Sequence, residues 1–326
     1  MFLFKFKNVI NNSDNKELLL SSAFAFIVRT IGALSGFAAT FFIARYLGAG
    51  EAGLYFLAFS VVSVMSAFSR IGLDNTVLRF VSGSPELAVN TSLKSLSLVV
   101  LVSFLGAACL YLCAEFVATY LFSKPEMKLV LQYMSIGVVG LSTLIISAMA
   151  LQGLRKISIS IFILNVAANL LLILSLLGIS DRAATSLAAA YAISSVLVGI
   201  IGCLLLLIFK PRLKQISISW KKLFNSCGPL WIAVVMTQVV QWSGQFMAGA
   251  YVSSEALAQL AVAQRTALLS SFILVAVTVV VAPRFAILYR NSDMIGLEQL
   301  TLKSVKLVGL FALPVIGIML IFPSFL

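Results

Sequence analysis

Apolar residues in this chain run almost unbroken for eighteen positions or more, nine times over. The runs lie at about 20–44, 52–69, 95–122, 129–153, 157–179, 184–209, 228–252, 256–288 and 305–325. An α-helix needs about 20 apolar residues to cross a bilayer, so each run reads as a span. The ten-residue alternation of an outer-membrane barrel is absent. The expected fold class is all-α, a polytopic membrane helical bundle. The segment before the first run, MFLFKFKNVINNSDNKE, is too polar to cross and reads as an amphipathic lead-in over 1–19. It is not a signal peptide, because the run that follows is long, contains Arg29 and lacks a cleavage pattern.

Composition agrees with the pattern. Of 326 residues, 61% are hydrophobic and 10% charged, against about 45–50% and about 25% in soluble domains. The net charge of +12 would suggest nucleic acid in a soluble protein. Here its distribution points to topology instead. With the N-terminus inside, 17 of the 23 Lys and Arg fall on inside segments and 4 outside. That bias predicts a cytoplasmic N-terminus. No nucleic-acid partner is expected. There is no histidine, and Cys109, Cys113, Cys203 and Cys227 mostly lie in apolar runs, where they read as packing residues. No metal site, cofactor or catalytic residue is expected.

Three short matches recur in the same order. LRFVSG at 78–83 pairs with PRFAIL at 283–288, SLKSLSL at 92–98 with TLKSVKL at 301–307, and YLGAGEAGLYFLA at 46–58 with YVSSEALAQLAVA at 251–263. Their near-equal offsets suggest a duplicated unit. An even number of spans separates the copies, so both keep one orientation, which predicts two parallel lobes around a central cavity. The expected organisation is a six-helix lobe over 20–209, an inter-lobe linker over 210–227, and a second, incomplete lobe of three helices over 228–326.

The candidate chemistry lies inside the spans. Arg29 falls nine residues into the first run, about 13 Å deep at the helical rise. Arg265 falls equally deep in the eighth. A membrane-centred arginine costs at least ~2.5–3.5 kcal/mol, and the spans offer almost no carboxylate, Glu115 near an outer end excepted. Either the two guanidinium groups bind backbone carbonyls and helix ends, or they line a cavity for an anionic ligand, phosphate being the best match. In WIAVVMTQVVQWSGQ, Trp231, Gln238, Gln241, Trp242 and Gln245 share one broad helix face. Amides and indoles suit a sugar, but interhelical hydrogen bonding explains such a face equally well. Asn165 and Asn169, at i and i+4, carry the same two readings. Ser60, Ser63, Ser66 and Ser69 read as close helix packing.

ARYLGAGEAGLYFLAFSVVS followed by SRIGLDNTVLRFVSG resembles the O-antigen and polysaccharide flippases of the multidrug/oligosaccharidyl-lipid/polysaccharide exporter superfamily. The matching positions are Arg45, Leu47, Gly48, Glu51, Gly53, Tyr55, Gly72, Leu73, Arg79 and Phe80. The resemblance implies two six-helix lobes, alternating access, and a location in the bacterial inner membrane. Its implied cargo is an undecaprenyl-pyrophosphate-linked oligosaccharide, with polysaccharide polymerase and glycosyltransferases as partners beside the membrane lipids. Arg29 and Arg265 match cavity arginines of the related lipid II flippases, whereas a further helix-one arginine of those proteins falls at Ser35. Together with the amide and indole positions read above, the candidate substrate-binding set is Arg29, Arg265, Gln238, Gln241, Trp242, Gln245, Asn165 and Asn169. No bond is made or broken in such a process, so the protein is not expected to be an enzyme. The competing readings are a cation-coupled multidrug exporter of the same superfamily and a membrane polysaccharide polymerase or ligase.

Overall fold

A computed structural model describes residues 13–179, 181–209, 218–290 and 293–321, with the backbone alone at many positions of the first helix and the last two. Among these residues no strand occurs. The helices are α1 (Ser13–Leu47), α2 (Ala49–Arg70), α3 (Leu73–Gly83), α4 (Ala88–Phe116), α5 (Met127–Gly153), α6 (Ile157–Leu176), α7 (Ala184–Ile208), α8 (Trp220–Tyr251), α9 (Ser254–Arg290) and α10 (Met294–Ile321). A π turn, Val117–Leu121, extends α4, and another, Ile163–Ala167, interrupts α6. Among the described residues seven helices are long and apolar enough to cross a membrane: α1, α2, α5, α7, α8, α4 with its π turn, and α6. The chain is an all-α, multi-pass membrane bundle, as its apolar runs predicted. α9 and α10 occupy the stretches of the eighth and ninth runs.

Boundaries differ from hydropathy where polar residues continue a helix past its apolar run. α4 begins at Ala88 rather than 95, and α8 at Trp220, inside the stretch read as linker. α3 was not expected at all. Its Leu73, Val77 and Val81, at i, i+4 and i+8, are buried, while Asn75 and Arg79 are exposed. Eleven residues with one apolar face make a helix that packs rather than spans.

The chain divides into two compact units, Ser35–Ala261 on one hand and Met1–Leu34 with Val262–Leu326 on the other. Within the first, two apolar clusters are stacked along the helices. One joins Leu47, Leu57, Met127, Met134 and Leu187, and the other joins Leu73, Val77, Leu144, Leu151 and Leu223. Between them lie buried Ser66, Ser103, Ser142 and Ser195. The Ser66 and Ser142 hydroxyls meet at 3.0 Å, joining α2 to α5.

α5 and α7 approach through small residues. A Cβ at Gly140 would collide with Ser195, one at Gly199 with Thr143, and one at Gly202 with Ser147. The facing hydroxyls turn back onto their own helices: Thr143 donates to Val139 O, Ser147 to Leu144 O and Ser195 to Ala192 O, each at 2.9 Å. In lipid, where apolar burial does not drive association, such close backbone approach is what holds helices together.

The α2–α3 turn is set by two successive left-handed residues, Ile71 (φ 51°) and Gly72 (φ 70°). Gly72 is required twice over. Its backbone conformation disfavours a side chain, and a Cβ there would lie 2.5 Å from the Trp231 nitrogen and 2.6 Å from the Cys227 carbonyl on α8. At the opposite helix ends, Glu51 Oε2 accepts from the Ala184 N–H at 2.7 Å, at the start of α7. Tyr46 donates to the Ile179 carbonyl. Lys124 donates to Gly249 O (3.1 Å) and Val252 O (2.8 Å), satisfying the carbonyls left open where α8 ends.

Candidate functional site

The polar face of α8 is divided by its packing on α2. Trp231 Nε1–H donates to the Phe68 carbonyl at 3.2 Å, near the end of α2. Gln238 Oε1 accepts from Trp242 Nε1–H at 3.2 Å, one turn along the same helix. The Trp242 ring meets Phe59 edge-on at 5.7 Å, and Phe59 meets Tyr191 of α7 at 5.3 Å. Gln245 is 1% exposed, and neither of its amide atoms has a hydrogen-bond partner. Gln241, rotated about 100° from Trp242, is exposed. The face read from sequence therefore contains a tied pair, a sealed amide and an open amide.

Asn165 and Asn169 sit at and just after the π turn of α6. Asn165 O accepts from Asn169 Nδ2 at 2.9 Å and from Ser35 Oγ of α1 at 2.8 Å. Asn169 Nδ2 also reaches Ser35 Oγ at 3.4 Å, while Asn165 Nδ2 donates to Ile161 O at 3.2 Å. This is interhelical bonding, one of the two readings above. None of these bonds uses either Oδ1, and Asn165 is exposed, so the amides keep acceptor capacity for a hydroxyl. π turns recur at functional sites.

Arg29 belongs to α1, and its side chain lies outside the described residues. Arg265 is half-buried on α9, next to buried Thr266. Both arginines fall in the unit made of Met1–Leu34 and Val262–Leu326. The six amide and indole candidates fall in the unit Ser35–Ala261.

One charged constellation escaped the sequence reading. Arg70 Nε lies 3.2 Å from Asp74 Oδ2, with both side chains under a tenth exposed. Arg70 also donates to Ser66 Oγ at 2.6 Å. Asp74 falls outside the apolar runs, and the opposite charges at i and i+4 were the available signal. Four of the residues that carry the family resemblance prove to be packing devices. Glu51 holds the start of α7, Gly53 leaves no room for a Cβ beside the Ser254 carbonyl, Tyr55 is buried, and Gly72 makes the turn under α8. Outside the spans, Glu255 is held below the usual carboxylate range by its own amide, then by the Ser253 hydroxyl and by Lys124. Among the described residues no cluster of three His, Cys, Asp or Glu suits a metal.

Comparison with known proteins agrees with this picture. The family model described as polysaccharide biosynthesis protein matches residues 2–289. Among solved structures, the chain is similar to DinF-BH, described as a MATE multidrug transporter. The TM-score is 0.62 at 14% identity, over 94% of this chain and 73% of that one. At that identity the likeness concerns the fold. No curated protein matches the chain.

Proposed function

The chain belongs to the polysaccharide biosynthesis protein family, within the multidrug/oligosaccharidyl-lipid/polysaccharide exporter superfamily, and from that premise we propose that it is a flippase for a lipid-linked oligosaccharide. The cargo is an undecaprenyl-pyrophosphate-linked surface-polysaccharide unit, such as an O-antigen repeat, moved across the bacterial inner membrane by alternating access. The N-terminus is cytoplasmic, following the Lys and Arg distribution. Glycosyltransferases supply the cargo and a polymerase consumes it.

This reading is supported by the sequence, in which Arg29 and Arg265 each fall nine residues inside an apolar run, and both belong to one compact unit. Guanidinium groups pair with phosphate oxygens through parallel hydrogen bonds, and a low-dielectric surrounding strengthens that pairing. The pyrophosphate engages these groups and the polyprenyl tail stays in lipid. Within the Ser35–Ala261 unit taken by itself, the exposed amides of Gln241 and Asn165 offer hydrogen bonds that suit a sugar. The protein lowers the barrier to carrying a hydrated headgroup through hydrocarbon, with no covalent chemistry. The two lobes are the repeats read from sequence.

The test is surface-glycan export in a host whose own flippase is deleted. Arg29→Ala and Arg265→Ala variants, present at wild-type abundance, are expected to accumulate lipid-linked oligosaccharide on the cytoplasmic side. Normal export by both variants removes the arginines from the mechanism. The fold likeness to a multidrug transporter favours a second reading, export of cationic compounds. Efflux of a cationic dye that is unaffected by the oligosaccharide pathway would select it.

A further inference from the structure

At the α3 end of the Ser35–Ala261 unit, four cations and three aromatic rings share one surface. Trp220 and Phe224, in the first turns of α8, are exposed and stacked, with centroids 6.1 Å apart and planes 26° apart. Lys94 of α4 lies 5.3 Å over the Trp220 ring and donates to the Ile218 carbonyl at 2.7 Å. Lys222 lies 5.7 Å over the ring of Phe80 on α3. Lys221, Lys222 and Arg79 are exposed, whereas Leu223 and Cys227, on the opposite side of α8, are buried with Leu73 and Val77. The acid of α3, Asp74, is buried and already paired with Arg70. The surface is thus basic and aromatic, fixed from beneath by an apolar core, at the level where the helices end.

We propose that this surface, formed by Arg79, Lys94, Trp220, Lys221, Lys222 and Phe224, binds anionic phospholipid headgroups of the adjoining leaflet. The charge is complementary. Exposed indole and phenyl rings beside lysines match the headgroup level of a bilayer. Basic side chains immediately outside a span each add attraction to anionic lipid that salt screens. Trp220 and Phe224 enter the interface, Lys221, Lys222 and Arg79 reach phosphate oxygens, and Lys94 holds the Trp220 ring in place from α4. The surface seats the start of α8 in the leaflet. It does not depend on the flippase reading and does not use its candidate residues.

The experiment uses the full chain in detergent with added phosphatidylglycerol or phosphatidylcholine, counting retained lipids by native mass spectrometry. Wild type is expected to retain phosphatidylglycerol preferentially. An R79Q/K221Q/K222Q variant is expected to lose that preference, on the order of tenfold or more at low salt, with phosphatidylcholine retention unchanged. K128Q, at the opposite helix ends, is expected to behave as wild type. Should the triple variant not fold, K221Q alone, on an exposed side chain, is expected to reduce the preference several-fold. Equal preference in wild type and the charge-neutral variants overturns the proposal. So does displacement of phosphatidylglycerol by equimolar polyprenyl phosphate through the same three residues, since the surface would then receive cargo rather than membrane lipid.

Discussion

Arg70 and Asp74 form a buried ion pair, Nε to Oδ2 at 3.2 Å, across a turn made by two left-handed residues. The pair joins the end of α2 to the first turn of α3, and Ser66 takes a further guanidinium hydrogen bond at 2.6 Å. Removing one partner leaves the other charge buried, at a cost of about 3–5 kcal/mol, whereas replacing both with apolar groups is often near neutral. Asp74→Ala is therefore expected to lower the detergent unfolding midpoint and the folded yield sharply. Arg70→Met combined with Asp74→Leu is expected to recover most of the loss. A double variant no better than Asp74→Ala would mean that the pair's geometry, rather than its charge balance, holds the turn.

Gly72 is expected to tolerate no side chain. Gly72→Ala forces a left-handed residue, at about 1–3 kcal/mol, and drives a methyl group against the α8 backbone at 2.5 Å. Gly83→Ala provides the control, since a Cβ there meets nothing within 4 Å. Unfolding midpoints of the two variants in one detergent should separate clearly, and near-equal values would contradict the close approach of α8.

Gln245 has a different signature. Its amide is sealed and has no partner, which costs about 1–3 kcal/mol relative to an apolar side chain of the same size. Gln245→Leu is expected to raise the unfolding midpoint and to leave glycan export unchanged. A lower midpoint would mean that the amide is satisfied in the folded protein.

Lysine substitutions distinguish charge from geometry at the arginines. Arg29→Lys and Arg265→Lys keep a cation and lose the planar fork. Export is expected to fall several-fold, yet to stay above that of the alanine variants. Complementation assays at matched abundance measure both.

The spans were legible because a membrane helix needs about twenty apolar residues in a row, and nothing else in this chain resembles that. α3 was not, because eleven residues with an apolar stripe look like a loop beside such runs. On α8 the Gln238–Trp242 bond follows from i, i+4 spacing. Which amide is sealed and which open depends on where α2 lies, and a one-dimensional pattern does not carry that. The spacing of Asn165 and Asn169 was readable, but the π turn beside them was not. Apolar sequence is compatible with either ladder, and the turn is chosen by packing. The glycines of α5 and α7 were visible as letters only, since their meaning needs the facing hydroxyls.

Those hydroxyls carry a last consequence. Among the described residues, Thr143, Ser147 and Ser195 send their donors inward to their own helices, so these hydroxyls do not tie α5 to α7, and the junction rests on how closely the glycines let the helices approach. Neither acid nor ionic strength has a handle on it. Only volume does, and one added isobutyl group at Gly202 is enough to wedge the pair apart.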